Sequence, residues 1–390
     1  MMQAKEAKTK TAMETAKEKV QLAIMGSKAD DGIMTVEELS KEVKKQGAIL
    51  EGNQFPVEVK MDEFTFSVDK DGNLTKKNEI NQADKGTLGT IIGNEKENTV
   101  VKDSLGNEVK VPAGFKIVNP EETVLDGIII EDISHEETMG SQFVWIPVGN
   151  VIKKDGNVEK IVLGRYSFDD LGNVTEYDGT NTEDTKEIHN EEYKNVIAKD
   201  IEDFKSKAIA SKEYYIARYE ARDKDTTTVR TGGSSEKNQL ICTAENYVYT
   251  YITQSEASNL SRNMYNDSNF ESDLMNSYAW DTAITYVQTF DNRNNKIKPY
   301  SKQNSLNTNN FAEKGTNKLE DINKQDKICN IYDMASNCSE WSTESAKTTN
   351  YNCVVRGGIF YYNYAHTSAS YEYNEMDKID HNAFRPILYL

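Results

Sequence analysis

The residues best suited to chemistry lie near the C-terminus of this chain. Between Gly358 and Ala383 five tyrosines (Tyr361, Tyr362, Tyr364, Tyr371, Tyr373) alternate with Asn363, His366, Ser368, Asn374, Asp377 and His381, and the stretch opens on Ile359 and Phe360. Tyrosine set among serine and asparagine is paratope chemistry: rigid amphipathic rings give contact area at low entropic cost, and small polar groups adapt their hydrogen bonds. The same composition also suits a loop whose half-buried rings pack on its own domain. A cluster of exposed rings forfeits roughly 25 cal/mol per Å2 of apolar surface, so it usually persists for binding. The expectation is therefore that Ile359 to Tyr364, His366, Tyr371, Tyr373 and Asn374 point outward into one patch.

Elsewhere reactive groups are sparse. The four cysteines (Cys242, Cys329, Cys338, Cys353) match no zinc spacing, and they read as structural thiols, one disulfide, or incidental buried cysteines. His135 and His189 sit in acidic stretches and are expected to be solvated.

A chain of 390 residues exceeds the usual single domain, so two or more units are expected. With 46 basic against 64 acidic residues the net charge is -18, which repels phosphate backbones and argues against a nucleic-acid partner. The longest apolar runs, such as Phe143 to Val148, fall short of the roughly 20 residues a membrane-spanning helix needs. The opening MMQAKEAKTKTAMETAKEKV lacks the apolar core of a signal peptide, and a native N-terminus upstream is expected.

From Ala12 to Met25, Met13, Ala16, Val20, Ala23 and Ile24 recur at helical spacing. Thr35 and Glu38 form the capping box of a second, short helix. Val57 to Val68 alternates like a strand, and Asp69, Asp71, Gly72 and Asn73 supply turn residues, read as a plain turn rather than a calcium loop. The order of residues 1–79, a charged amphipathic helix, a short helix and a small hairpin, resembles the exported part of a type IV pilin. That resemblance implies an anchoring apolar helix ahead of this sequence, a cell-surface or extracellular location, and other pilin subunits as partners. Residues 80–108 have the polar composition of a linker, with a hairpin beginning near Val100 around DSLGN. Beyond them, short strands and long polar loops point to an α+β domain.

Four strings occur in order through residues 109–390: FVWIPV (143–148), YYIARYEARD (214–223), IYDMASNCSEW (331–341) and VVRGG (354–358), and the chain closes with FRP at 384–386. The set resembles the formylglycine-generating enzyme and sulfatase-modifying-factor family, and SYAWDTAI (277–284) falls where that family has a helix. The resemblance implies a C-type-lectin-like fold, with Trp145 and Trp341 as core anchors and Gly357 and Gly358 in a tight turn. Oxidases of the family hold copper on a cysteine pair after the R-G-G motif, yet Ile359 to Tyr371 contains no cysteine, so copper and formylglycine formation are not expected. Iron sites of other branches rest on histidines, which number four here. A calcium ion is implied in the Y-D-M loop, with Asp333 and Glu340 as side-chain ligands and carbonyls from Ser336 and Cys338. Ser336 and Ser339 depart from that pattern.

The C-terminal segment also resembles the variable region of diversity-generating retroelement proteins, which lies between R-G-G and F-R-P. Adenine substitution in template Asn codons never yields Glu, Met, Lys or Trp, and of the 24 positions from Ile359 to Asn382 only Glu372, Glu375, Met376 and Lys378 fall outside the reachable set. Two functions follow: a non-catalytic surface protein binding a protein or glycan ligand through residues 359–382, or a metal-dependent oxidoreductase of the same family.

Overall fold

The computed structural model describes residues 2–28, 34–61, 64–70, 72, 74–77, 88, 96–176, 200–224, 240–244, 247–291, 299–303, 327–346, 352–360, 366–374 and 376–390, with side chains of the first helix placed from residue 15 and those of residues 64, 65 and 74–77 left aside. It divides into two compact units, 1–85 and 86–390.

The first unit pairs two helices, α1 (Met2–Ser27) and α2 (Val36–Lys45), with a four-stranded antiparallel meander: β1 (Ile49–Glu51), β2 (Val57–Met61), β3 (Phe64–Val68) and β4 (Leu74–Lys77). Ala16, Val20, Ala23 and Ile24 are buried at the predicted helical spacing, against Leu39, Val43, Val57, Val59 and Phe66. Thr35 caps α2: its Oγ1 accepts the Glu38 N–H at 3.2 Å while Glu38 reaches back to the Thr35 N–H. The stretch read as one strand, 57–68, is a hairpin with Met61 opposite Phe64. Its alternation carries the reason: the inward residues are odd-numbered at 57, 59 and 61 but even-numbered at 66 and 68, and one straight strand cannot bury both sets. Gly72, at φ +81, donates its N–H to the Asp69 carbonyl in the expected turn; Asp71 and Asn73 lie outside the described residues.

The second unit is α+β. It begins ahead of residue 109, because β5 (Thr99–Lys102) and β6 (Glu108–Val111) form a hairpin whose Val101 and Val109 enter the main core, in a stretch that composition had assigned to the linker. The DSLGN turn is closed by Asp103, whose Oδ1 accepts the Leu105 and Asn107 N–H groups. Strands β7 (Phe115–Ile117), β8 (Ile129–Asp132) and β9 (Gln142–Pro147) lead into an antiparallel six-stranded sheet. Two-stranded pairs follow at β10 (Gly149–Ile152) with β11 (Val158–Ile161) and β12 (Tyr166–Phe168) with β13 (Val174–Glu176). Helix α3 (Ile201–Ser211) precedes β14 (Glu213–Ala217), and β15 (Arg222–Asp223) pairs with β16 (Leu240–Ile241). Helix α4 (Gln254–Arg262), strand β17 (Glu271–Leu274) and helix α5 (Ser277–Phe290) come next, then β18 (Lys327–Ile328) with β19 (Ile331–Tyr332). The chain closes through β20 (Ser339–Ser345), β21 (Cys353–Arg356), β22 (Ser370–Tyr373), β23 (Asn382–Phe384) and β24 (Pro386–Tyr389).

The six-stranded sheet runs β17-β24-β14-β9-β8-β7, so FVWIPV and YYIA are adjacent central strands; the second sheet runs β22-β21-β20-β23, and β20 with β23 is its parallel pair. Trp145, Trp280 and Trp341 are all buried with their indole N–H groups satisfied, by Glu213 Oε2, the Thr367 carbonyl and the Ile252 carbonyl respectively.

Glu213 is a carboxyl in this core. Its oxygens accept from the Trp145 indole at 2.6 Å and the Lys110 N–H at 3.0 Å, and burial pushes its pKa up to about 8. A carboxyl raised in the folded state binds its proton more tightly there than in the unfolded chain. Its contribution is therefore greatest below about pH 4.5 and declines as pH rises toward about 8. Glu213→Gln keeps an acceptor for both donors and removes the titration. Urea unfolding from pH 5 to pH 8 is expected to show the wild type losing stability that the variant retains; parallel curves would contradict this.

Candidate recognition site

The frame of the site is the loop between β19 and β20, seated on buried charge. Arg385 of the FRP string is fully buried; its Nε and Nη2 donate to both Glu340 oxygens at 3.0 and 2.6 Å, Nη1 donates to the Ala217 carbonyl and Nη2 to the Tyr332 carbonyl, each at 2.7 Å. Burial works against the charge, and the Glu340 carboxylate more than offsets it, leaving the guanidinium above its ordinary pKa. Beside it Glu220 is buried, accepting the Cys338 N–H at 3.0 Å and the Asn337 side-chain N–H, and burial with Asp333 and Glu340 nearby pushes its pKa well up. Arg222, also buried, has Glu220 and Asp333 as its nearest compensating charges.

This arrangement bears on the residues read as a calcium set. Both Glu340 oxygens are taken up by Arg385, Asp333 Oδ1 accepts the Ser336 hydroxyl at 3.0 Å, and the Cys338 N–H donates to Glu220. Among the described residues no group of three or more His, Cys, Asp or Glu side chains is placed to hold a metal ion.

On this loop rests the R-G-G turn. Gly357 has φ +89, and a Cβ there would lie 2.6 Å from the Met334 carbonyl oxygen; at Gly358 it would lie 1.9 Å from that of Ala335. Gly358 N–H donates to the Met334 carbonyl and Phe360 N–H to that of Asn337. Ile359 is only 2 % exposed, so its side chain enters the scaffold instead of the outward patch expected of it. Tyr361, Tyr362, Asn363 and Tyr364 lie outside the described residues.

The segment reappears at His366 and is pinned again at Thr367, which is buried, donates its N–H to the Gln303 carbonyl and accepts the Trp280 indole N–H. Strand β22 then runs antiparallel to β21 along the sheet edge, with Ser370 and Glu372 exposed and Tyr371 and Tyr373 half-buried against the core. Tyr373 meets Trp341 edge-on at 5.8 Å and lies 6.4 Å from the His381 ring, so one face of this tyrosine is structural. Ser368, Asn374, Asp377 and His381 are half-buried, and Asp377 caps a turn by accepting the Asn374 N–H. The expected patch is thus a rim: Phe360, His366, Ser368, Ser370, Glu372 and Asn374 reach the surface between anchors at Ile359, Thr367 and Asn382.

None of the four cysteines is in a disulfide, and three of them are buried. His135, read as solvated, is instead half-buried against Phe115, Tyr265 and Phe270 with its Nδ1 2.9 Å from Asp132 Oδ1, whose hydrogen bond raises its pKa. His189 lies outside the described residues. Sequence reading missed the parts played by Glu220, Arg222 and Arg385; the available signal was charge inside otherwise apolar strand strings, which has to be paired to be buried.

No protein-family model matches the chain, and no curated protein is significantly similar to it. Among solved structures, Treponema denticola variable protein 1 shares 8 % identity over 64 % of this chain and 96 % of its own, at a TM-score of 0.31. That likeness is too loose to carry fold or function across.

The two sides of the R-G-G turn should respond differently to substitution. Gly358→Ala forces backbone movement against Ala335 and is expected to lower stability by about 1–3 kcal/mol, whereas Ser370→Ala stays within about 0.5 kcal/mol. Thermal or urea unfolding decides it, and equal effects at both positions would show that the turn is not the fixed edge.

Proposed function

We propose that this protein is a non-catalytic binding protein of C-type-lectin-like fold, displayed at a bacterial cell surface, whose recognition face is the segment between Ile359 and Asn382. One observation carries the reading: the segment is held by buried anchors at both ends and at Thr367, while most of its described residues between the anchors are at least partly exposed. A stretch serving only the core has no need of Tyr, His, Ser and Asn at such positions. A stretch that must vary without unfolding its domain needs anchors that do not vary.

The reachable-codon pattern from Ile359 to Asn382 supports diversification by a retroelement. The buried positions within that span, Ile359, Thr367 and Asn382, then are places where selection keeps the variants that fold. The family strings support descent from the formylglycine-generating enzyme fold, and the lack of a cysteine pair after Gly358 supports loss of the copper chemistry. The self-contained helix-and-meander unit at residues 1–85 is suited to serve as the stalk of a pilin-like display protein.

The test is simultaneous replacement of Phe360, His366, Ser368, Ser370 and Asn374 with alanine or serine, compared with Trp341→Ala. The surface set is expected to shift the melting temperature by a few degrees at most. Trp341→Ala is expected to cost about 3–5 kcal/mol. Unfolding by the surface set would make the segment structural and end the reading. Independently, the encoding genome should carry a second copy of the 359–382 coding stretch differing at adenine positions beside a reverse transcriptase gene.

A further inference from the structure

Next to the recognition rim the scaffold holds a cavity of about 240 Å3 that the reading above does not use. Its lining includes Asp281 of α5, Arg165, Tyr166, Arg356 and Lys302 from the scaffold and His366, Ser368 and Ser370 from the segment. Asp281 is 1 % exposed. Its Oδ2 accepts the Tyr166 N–H at 2.9 Å, while its Oδ1 has no hydrogen bond among the described residues and stands 3.4 Å from Arg356 Nη1. A buried carboxylate oxygen lacking a donor is costly, and such an atom lining a cavity usually awaits one. Burial raises the Asp281 pKa to about 6, against the pull of Arg356.

Around this acceptor the fixed charges are mutually compensated. Glu344 receives Arg356 at 2.5 and 2.9 Å and Arg165 at 2.9 Å, and Asp281 stands beside Arg356, so two carboxylates face these two guanidiniums. Lys302 contributes a further donor, with the Asp170 carboxylate 4.0 Å away. An anion would meet Asp281, and a cation would meet Lys302. The groups that suit the site donate and accept on neighbouring atoms and carry no charge, as vicinal hydroxyls do. A half-exposed tyrosine ring in the wall suits the apolar face of a ring that bears them.

We infer that this cavity is a subsite for one neutral hydroxyl-bearing ring, a single sugar unit, with a ligand hydroxyl donating to Asp281 Oδ1, a second accepting from Lys302 Nζ, and the ring lying beside Tyr166. This deepens the recognition reading: scaffold residues supply a constant contact, and Ser368, Ser370 and His366 let the segment adjust its mouth.

The experiment is saturation-transfer NMR on the full chain with methyl glycosides of glucose, galactose, mannose and N-acetylglucosamine, and with glycine as a zwitterionic probe. At least one glycoside is expected to show transfer, with Kd of about 1 mM, corresponding to roughly -4 kcal/mol. Asp281→Asn, which keeps shape but removes the charged acceptor, is expected to weaken binding at least tenfold. Ser370→Trp, on an exposed rim position where folding is not at stake, is expected to abolish it by closing the mouth. No transfer from any glycoside, transfer unchanged in Ser370→Trp, or transfer from glycine alone would each overturn the proposal. Glycoside binding weakened in Asp281→Asn, a scaffold position outside the segment, supports the subsite even if the multiple replacement of rim residues shows the segment to be structural, so the two readings fail separately.

Discussion

The second unit depends on burying one ion pair, Arg385 with Glu340. Removing a guanidinium from water costs several kcal/mol, and the expense is offset only if its donors are all met in good geometry. Here each of its three nitrogens donates: the carboxylate takes two N–H groups, and the carbonyls of Ala217 and Tyr332 take one each. Arg385 and these three partners lie at four separate places along the chain. Arg385 follows β23 and precedes β24, Ala217 ends β14, Tyr332 ends β19, and Glu340 is in β20. One side chain therefore joins the six-stranded sheet to the four-stranded one and fixes where the loop of 333–338 lies.

That loop in turn decides where the segment 359–382 starts. Gly357 and Gly358 pass so close to the Met334 and Ala335 carbonyls that no larger residue fits, and Ile359 is drawn into the core immediately afterward. At the other end Asn382 to Phe384 pair in parallel with Ser339 to Trp341, beside the ion pair itself. Midway the Trp280 indole holds the Thr367 carbonyl. Among the described residues between these points, Phe360, His366, Ser368, Ser370, Glu372 and Asn374 are at least partly exposed. Tyr371 and Tyr373 are intermediate cases, with one side against the core and the rest open.

Much of this was legible in sequence because it follows local rules. The capping box at Thr35, the DSLGN hairpin, the strand FVWIPV and the glycine pair each express a short-range constraint, and the structure has all four. What escaped depends on contacts between distant residues. Nothing near Ile359 says that its side chain turns inward, since the direction is set by the loop at 333–338. The burial of Val101 and Val109 could not be seen in a stretch whose average composition is polar, because two valines per hairpin suffice to dock it. His135 sits in an acidic neighbourhood along the chain, yet its surroundings in space are Phe115, Tyr265 and Phe270. The phase change between Met61 and Phe66 was visible in the sequence and marks the hairpin in retrospect.

The dependence on the buried pair is measured most directly by a double-mutant cycle in urea with Arg385→Met, Glu340→Met and the double variant. Each single change leaves a buried charge uncompensated and is expected to cost about 3–5 kcal/mol. If the pair acts as the junction described, the double variant loses less than the sum of the two, with a coupling energy of about 2 kcal/mol or more. Additive losses would show that the two residues act independently, and the account of how the segment is held would fail with them.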